Sequence, residues 1–531
     1  MKRKISILLV IMMVLSMLTG CANDKPSNNN SENNQNSNDS NSTNNGKEKV
    51  LVVAATQEPL HFNMNATNAG SNMAAINIYS GLFKSSVTGE IIPDLCKDYT
   101  ISEDGLTYTF NLHENVKWHD GTDFSSEDVK FTIEAIIENK GNNVERLSII
   151  SEIECPDKNT VVFKLSEKSA GLIALLPQVK ILAKHLYEGQ DWLECAANQN
   201  PIGTGPFKFV EHKKGTNVTI EAFDDYFLGR PNVDKIVYKT IPDENTIVQA
   251  YINNEVDVMD LAGAISPAAM PNLENQPNTK ISTMISADRQ YMITNLAKSP
   301  WSDVRVREAV ALAINRDEMV TKAHKGYAEK AVGFYTPAVK WAYTDEYKMP
   351  ERDIEKAKQL LDEAGFTPDK DGIRIKDAEI VIFQFAVFSD IAKIVQANLK
   401  EVGIECKITT LEYAAWDERL QQGDFDIAVI GGYHGPDPDN MVIRIGEGGV
   451  LNYMKYKNDR IEELFKLGRE ANEEDRAEYY YEMQKIMSEE LPVMPLTEWC
   501  YIVVTKDNIT GHYADLTDKA GSGDYYYIDI K

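Results

Sequence analysis

The clearest hydrophobic pattern lies in the second half of the chain, where short apolar runs alternate with helical stripes. Between residues 379 and 430 it predicts, in order, a strand at 379–385, a helix at 390–402, a strand at 404–411, a helix at 414–421 and a strand at 425–430. Two β-α-β units in succession predict a parallel sheet with helices on its faces. The fold class is therefore expected to be α/β.

Further amphipathic stretches predict helices around this region. Asp303 precedes a helix in which Val306, Val310 and Ile314 form one buried stripe. Similar patterns predict helices at 354–364, 458–470 and 474–490 and, near the end of the chain, a strand at 501–504.

The first half of the chain is dominated by predicted strands. An apolar run at 50–54 is typical of an inner strand. Residues 95–112 alternate in polarity around an Asp-Gly turn at 104–105, which predicts a β-hairpin. A second hairpin is predicted around the turn at 156–159, and a helix at 125–139 lies between the two hairpins.

A glycine-containing segment, GTGP at 203–206, precedes a predicted strand at 207–210. Its spacing matches neither the P-loop nor the dinucleotide-binding motif. Two glycines and a proline predict tight backbone geometry here, and no phosphate-binding role.

The loop that leaves the last strand of the parallel sheet carries the strongest candidate binding groups. In open α/β sheets, ligands bind outside the carboxyl ends of the strands. This loop, GGYHGPDPDN at 431–440, offers Tyr433, His434, Asp437 and Asp439 as ligand-binding residues. The competing interpretation is structural, because prolines fix φ and aspartates bond to nearby backbone amides in turns.

Trp416 and Trp499 are two further candidates for ligand binding. Large aromatic side chains serve a cleft wall and a hydrophobic core equally well. The sequence leaves both roles open for each of them.

The N-terminal segment has the pattern of an export signal. Three basic residues at 2–4 precede an apolar run at 5–18, which is shorter than the roughly twenty residues that a membrane-spanning helix needs. The sequence LTGC at 18–21 resembles the bacterial lipobox. This resemblance implies a cleaved signal peptide at 1–20 and a lipid on Cys21.

The segment after Cys21 consists mainly of Asn and Ser, with no aromatic or branched aliphatic side chain through residue 46. Such a stretch buries too little apolar surface to offset its chain entropy, which predicts a flexible tether at 21–47. The alternative is an ordinary secreted protein in which the cysteine occurs by chance.

Charge and cysteine content limit the classes of partner. The formal net charge of −26 disfavours nucleic acid and anionic membrane surfaces as binding partners. The six cysteines are irregularly spaced and form no CxxC motif. Apart from Cys21, they are expected to be buried thiols, with a single disulfide bridge as the alternative.

The motifs of common enzyme classes are missing from the sequence. No GxSxG, HExxH, SxxK or Walker motif occurs, so we expect neither catalysis nor a cofactor. His113 and His119 flank Trp118, but two histidines alone are weak evidence of a metal site, and none is expected.

Several separated blocks resemble one known family, the extracytoplasmic solute-binding proteins of peptide/nickel-type (family 5) ABC importers. The blocks are SEDGLTYTF at 102–110, VKWHDGT at 116–122, EDV at 127–129, PIGTGPF at 201–207, DVRVREA at 303–309 and AINR at 313–316. The similarity runs over nearly all of the chain after the tether.

The resemblance implies a two-lobed periplasmic-binding-protein-like fold of type II, in the large class that carries an extra inserted subdomain. The implied parts are lobe I at 48–83, 200–285 and 491–531, the inserted subdomain at 84–199 and lobe II at 286–490. The ligand cleft would lie between the lobes, and the loop at 431–440 would face it.

The resemblance also implies a function: capture of short peptides by hinge closure and their delivery to the transmembrane subunits of an ABC permease. The protein would act as a monomer on the outer face of the cytoplasmic membrane of a Gram-positive cell. In peptide-binding relatives an acidic side chain of this loop pairs with the peptide's α-amino group. By this resemblance His434 takes the place of the usual aspartate, and this departure from the family pattern weakens the case for amine recognition. Asp437 and Asp439 remain as acidic candidates, and Asp437→Ala is expected to weaken peptide binding.

Three alternatives stay open at this stage. The ligand is a non-peptide solute such as a nickel chelate, haem or an oligosaccharide; the protein is a receptor that senses peptides without feeding an importer; or it is a surface peptidase. The missing nucleophile and metal motifs speak against the peptidase.

Overall fold

The computed structural model describes residues 48–66, 72–260, 265–433, 435, 437–471 and 475–531. The predicted signal peptide at 1–20, Cys21, the tether at 21–47 and His434 lie outside the described residues. Within those ranges, no helix combines the length and the apolar character needed to cross a membrane.

The strands of the described chain are numbered in chain order. They are β1 Val50–Ala55, β2 Phe83–Ser85, β3 Ile91–Pro93, β4 Cys96–Ile101, β5 Thr107–Leu112, β6 Ile150–Asp157, β7 Thr160–Leu165, β8 Phe207–Lys213, β9 Asn217–Ala222, β10 Lys235–Thr240, β11 Val258–Met259, β12 Thr279–Thr294, β13 Ala328–Lys330, β14 Ile375–Phe383, β15 Ile404–Leu411, β16 Ile427–Tyr433, β17 Val493–Lys506, β18 Ile509–Thr510 and β19 Asp529–Ile530.

The α-helices are numbered in the same way. They are α1 Met73–Ile78, α2 Ser126–Glu138, α3 Val144–Leu147, α4 Leu172–Leu175, α5 Lys184–Tyr187, α6 Glu244–Ile252, α7 Val304–Ala313, α8 Arg316–Glu318, α9 Ile354–Glu363, α10 Ala386–Glu401, α11 Tyr413–Gln421, α12 Val442–Ile445, α13 Asp459–Glu470 and α14 Arg476–Glu490.

The main sheet mixes parallel and antiparallel pairs. Its strands lie in the order β15-β14-β16-β12-β17-β11-β1-β10-β9-β8, and β13 pairs with β17. β14 is parallel to both β15 and β16, which confirms the parallel sheet predicted from the two β-α-β units. β1 is an inner strand, as predicted, because it lies between β10 and β11.

Local sequence signals set many element boundaries. Asp303 caps α7 by accepting a hydrogen bond from the Arg305 amide, as predicted. α10 begins at Ala386, earlier than the predicted residue 390, because Val387 and Phe388 extend the buried face of the helix. β16 runs to Tyr433 because its last residues continue to pair with β12.

Both predicted hairpins of the first half are present. β4 pairs with β5 and β6 with β7, all antiparallel, and β5 joins β7 to complete a four-stranded sheet. α2 lies between the hairpins in the sequence and begins at a capping box formed by Ser125 and Asp128.

The buried side chains form separate hydrophobic cores. One core takes its residues from between Leu82 and Ala183, and another from between Tyr291 and Leu496. Two further cores lie on the strands around β1. The exact domain boundaries given above stay a prediction.

The GTGP segment is a site of close backbone packing. A Cβ atom at Gly203 would lie 1.9 Å from the carbonyl oxygen of Ile78, and one at Gly205 would lie 2.5 Å from the carbonyl oxygen of Asn77. The Gly205 amide donates to the Ile78 carbonyl over 2.9 Å. The glycines are needed here because no side chain fits between the two backbone segments.

The described cysteines, Cys96, Cys155, Cys195, Cys406 and Cys500, all carry free thiols. Cys96 and Cys195 are buried, and the other three are partly buried. Burial raises the pKa of Cys96, Cys406 and Cys500 to about 12. Such thiols are inert at neutral pH.

Candidate binding site

A cavity of about 890 Å³ lies beside the loop at 431–440. One wall comes from the first half of the chain, around β4, β5 and the segment 168–174. The opposite wall comes from residues 338–341, Asp437 and the adjoining ends of α13 and α14. This volume is typical of a small-molecule site.

The two walls touch each other at the edge of the cavity. The Ala170 amide donates to the carbonyl oxygen of Arg469 over 3.1 Å. Nearby, Nη1 of Arg146 donates to Oδ1 of Asn440 over 3.2 Å. Polar bonds therefore link the two segments that enclose the space.

Asp437 forms the inner corner of the second wall. It is 2% exposed and caps the short 3₁₀ helix at Pro438–Met441, where its Oδ1 accepts the Asp439 amide over 2.9 Å. Its carboxylate also accepts two bonds from Arg476, of 2.8 and 2.9 Å. Asp437 thus lines the cavity and also shapes the loop.

Arg476 fills the space behind Asp437. Its Nε donates to the carbonyl of Gly468 over 2.9 Å, and its Nη2 donates to the hydroxyl of Tyr480 over 3.1 Å. The guanidinium lies over the Trp341 ring, 4.8 Å from the centroid. Burial disfavours its charge, but Asp437 and Tyr480 act in the opposite direction and together raise the pKa of Arg476, so the guanidinium stays charged.

Asp439 and Arg469 form a looser pair beside the first one. Nε of Arg469 donates to Oδ1 of Asp439 over 2.9 Å, and the two side chains are 43% and 15% exposed, respectively. Burial raises the pKa of Asp439, while Arg469 acts in the opposite direction. Burial also disfavours the charge of Arg469, but Asp439 acts in the opposite direction and the pKa of Arg469 is raised, so the half-buried guanidinium is charged where it lines the cavity.

Gly435 determines the path of the loop. Its φ of +77° lies in the left-handed region, and a Cβ atom there would lie 1.6 Å from Nδ2 of Asn440. A side chain at this position would displace Asn440 from its bond with Arg146.

The four predicted binding residues of the loop lie in different places. Asp437 lines the cavity, and Asp439 is outside the lining but bonds to Arg469, which is part of it. Tyr433 ends β16 opposite Asp288, and His434 lies outside the described residues. The ligand-binding role of each stays a prediction.

The two tryptophans lie away from this cavity. Trp416 is 4% exposed and packs its ring 5.1 Å from Phe383 and 5.7 Å from Tyr453 in the hydrophobic core. Trp499 is partly exposed, and its ring lies 5.7 Å from that of Phe385. The position of Trp416 favours the core role, and the ligand-binding role of Trp499 stays a prediction.

Several cavity residues were not predicted from the sequence. Trp341, Arg469 and Arg476 supply much of the second wall, and the turn at 102–105 contributes to the first. Arg476 is distant from Asp437 in sequence, so no local motif signals their pairing. The block at 102–110 did mark a cavity segment, although as a family resemblance and not as a binding motif.

The two histidines beside Trp118 serve packing. Nδ1 of His119 accepts the Gly203 amide over 3.1 Å, and its Nε2 donates to the carbonyl of Gly205 over 2.9 Å. His113 packs its ring 5.3 Å from that of Phe227. In the part of the chain that the structure describes, no group of three or more His, Cys, Asp or Glu residues is placed to hold a metal ion.

Comparison with known proteins identifies the family. Residues 90–450 match the model of the bacterial extracellular solute-binding proteins, family 5. The chain belongs to this family. The oligopeptide-binding protein AppA of Bacillus subtilis is 30% identical to it over 519 residues, which cover 93% of each chain. The dipeptide-binding protein of Escherichia coli is 27% identical over 511 residues, covering 88% of this chain and 92% of the relative.

Solved structures of family 5 proteins share the fold. The ABC transporter substrate-binding protein CtaP of Listeria monocytogenes superposes with a TM-score of 0.82 at 26% identity, covering 91% of this chain and all of CtaP. AppA of Bacillus subtilis in complex with a nonapeptide gives a TM-score of 0.72 at 27% identity, covering 91% and 99% of the two chains. The predicted two-lobed α/β fold of this family is thereby confirmed.

Proposed function

We propose that this family 5 protein is the solute-capturing component of an ABC importer and that its ligands are short peptides. The observation that carries the proposal is the cavity of about 890 Å³, enclosed by two separate parts of the chain. The relatives named for oligopeptide and dipeptide binding support the peptide class. Its role is transport, with no catalytic step.

Capture proceeds by hinge closure. The cavity walls belong to the segments predicted as the inserted subdomain, 84–199, and lobe II, 286–490. The bonds Ala170–Arg469 and Arg146–Asn440 would be made in the closed state and lost on opening, and contacts of this kind make closure favourable. The closed monomer then docks on the permease.

The N-terminal segment holds the protein outside the cell. Cleavage after Gly20 and lipidation of Cys21 would anchor it to the outer face of the cytoplasmic membrane of a Gram-positive cell through the tether at 21–47. Cys21→Ser should release the protein into the medium, as measured by immunoblotting of membrane and medium fractions. Retention of the Cys21→Ser variant in the membrane fraction would contradict the anchor.

The function is tested by native mass spectrometry of the full-length chain, expressed in a bacterial host and purified without denaturation. A ladder of short peptide masses bound to the protein is the expected result, and it also gives the preferred length. A protein without bound peptide, which then fails to bind a synthetic peptide mixture in calorimetry, would contradict peptide capture.

A non-peptide solute is the second candidate. A NikZ structure from Campylobacter jejuni in complex with Ni(L-His) superposes with a TM-score of 0.74 at 27% identity, covering 88% of this chain and 96% of NikZ. A single bound non-peptide mass in the same experiment would favour this class. His434 would then be the first residue to substitute.

A further inference from the structure

We infer that the cavity recognises a ligand carboxylate through Arg469 and does not use Asp437 to bind a ligand ammonium group. The inference deepens the proposed function and rests on it, since it names which end of a captured peptide the site reads. It rests on two neighbouring ion pairs. Asp437–Arg476 is buried and uses most of its hydrogen-bonding groups internally, whereas Asp439–Arg469 is partly exposed and keeps guanidinium donors unused in the described part of the chain.

The first pair leaves no charge for an amine. The Asp437 carboxylate accepts one bond from the Asp439 amide and two from the Arg476 guanidinium, which occupies three of its roughly four acceptor positions. The guanidinium already neutralises the carboxylate in a buried site. A ligand ammonium at the remaining position would meet a second cation beside it, at a distance where like charges repel strongly.

The second pair leaves a cation open to the ligand. Arg469 bonds to Asp439 through Nε, and within the described chain neither Nη1 nor Nη2 has a hydrogen-bond partner. The side chain is 43% exposed and lines the cavity. A guanidinium with a free donor edge matches the planar geometry of a carboxylate.

The backbone of Arg469 is held in place for this role. Its carbonyl oxygen accepts the Ala170 amide from the opposite wall over 3.1 Å. Asp439, only 15% exposed, holds the Nε side of the guanidinium. The bond to Asp439 lies within the second wall and does not depend on closure, so it pre-positions the free edge and lowers the entropy cost of binding a carboxylate, and the Ala170 bond adds to this once the walls close.

The other charged lining residues do not offset Arg469. Lys168 and Lys340 add positive charge, while Glu90, Glu103 and Glu470 add negative charge. All five are exposed, where water and salt weaken their interactions. Arg469, by contrast, is half-buried, and among the described residues its Nη1 and Nη2 donors have no partner.

The experiment compares blocked peptides on the purified full-length chain. Trialanine, tetraalanine and pentaalanine are each titrated calorimetrically in three forms: free, N-acetylated and C-amidated. Amidation is expected to weaken binding about tenfold or more, since a charge-assisted hydrogen-bond pair is lost. Acetylation is expected to change the dissociation constant by less than about threefold.

Arg469→Gln separates recognition from stability. This variant should bind the free peptide as weakly as wild type binds the amide and should lose the difference between the two forms. A loss of folding stability alone would weaken both forms equally. Lys466→Gln is the matched control, because this exposed lysine lies on the same helix and outside the cavity lining, and it should keep the tenfold difference.

The outcomes distinguish failure of the carboxylate assignment from failure of the proposed peptide capture. Strong weakening by acetylation with none by amidation would overturn the carboxylate assignment and leave peptide capture intact. The carboxylate assignment would also be overturned if wild type and Arg469→Gln showed the same difference in affinity between the free and the amidated peptide. No binding of any form, together with no peptide in the purified protein, would instead overturn the proposed function and this inference with it.

Discussion

Two loops that combine glycines with proline, 203–206 and 431–440, are held by different forces. The first is fixed by backbone contacts, since Gly203 and Gly205 pack against the end of α1 and bond to both ring nitrogens of His119. No charged side chain is needed to shape it.

The second loop is fixed by side-chain charges. Asp437 and Asp439 place their carboxylates against Arg476 and Arg469, and these pairs connect the loop to α13 and α14. Asp437 of this loop lines the open cavity. The comparison teaches that similar turn residues serve rigid packing in one place and an electrostatic site in another.

The largest effect is expected from Asp437→Ala. Removing the carboxylate leaves the buried Arg476 guanidinium unpaired, which should lower the free energy of unfolding by about 3–5 kcal/mol. Urea unfolding monitored by circular dichroism measures the change. Asp439→Ala is the control and should cost less, because Arg469 is half-exposed.

Equal stability of wild type and Asp437→Ala would break the comparison, because the ion pair would then not hold the loop. If that stable variant also lost peptide affinity, Asp437 would act as the amine-binding residue expected from the family resemblance.

The next largest effect is expected from Gly203→Ala. The added methyl group would meet the Ile78 carbonyl at 1.9 Å, so the backbone must move, at a cost of about 3 kcal/mol in unfolding free energy. Thermal unfolding is a suitable measurement. Gly171→Ala is the matched control, because its methyl group would meet nothing closer than 3.6 Å. Similar melting temperatures for the two variants would show that loop 203–206 is not tightly packed.

The smallest effect is a pH dependence at the first loop. Burial lowers the pKa of His119 to about 4, and its Nδ1 must stay unprotonated to accept the Gly203 amide. An unfolded histidine has a pKa near 6.5, so the unfolded chain binds more protons between pH 6.5 and 4. Stability is therefore full above about pH 6.5 and falls as the pH drops towards 4.

At pH 5.5 His119 is expected to reduce the free energy of unfolding by about 1 kcal/mol relative to pH 7.5. His119→Gln should flatten this part of the stability profile, as measured by urea unfolding at several pH values. An unchanged profile in the variant would assign the acid sensitivity to other groups, such as His324, whose pKa burial also lowers to about 4.

Local patterns predicted the elements that carry regular periodicity. The β-α-β units, both hairpins and the cap of α7 follow from hydrophobic spacing and turn residues, and all are present. Element ends were less exact. α10 and β16 extend beyond their predicted bounds because burial and strand pairing continue past the local signal.

The candidate site was predicted in part. The rule that ligands bind beyond the carboxyl ends of parallel strands directed attention to loop 431–440, and Asp437 does line the cavity. Trp416 could not be assigned from the sequence, because an aromatic side chain in a helix is compatible with core and cleft alike. Its neighbours Phe383 and Tyr453 come from distant segments.

The sequence by itself determined the α/β class, the hairpins, the tight packing at 203–206 and the family, because these depend on periodicity, turn chemistry and local motifs. Only the tertiary structure decided that Asp437 is paired with Arg476 while Arg469 keeps unused donors among the described residues. The physical reason is that charge pairing depends on distance in space. Burial then decides whether the charged groups of each pair are accessible to a ligand.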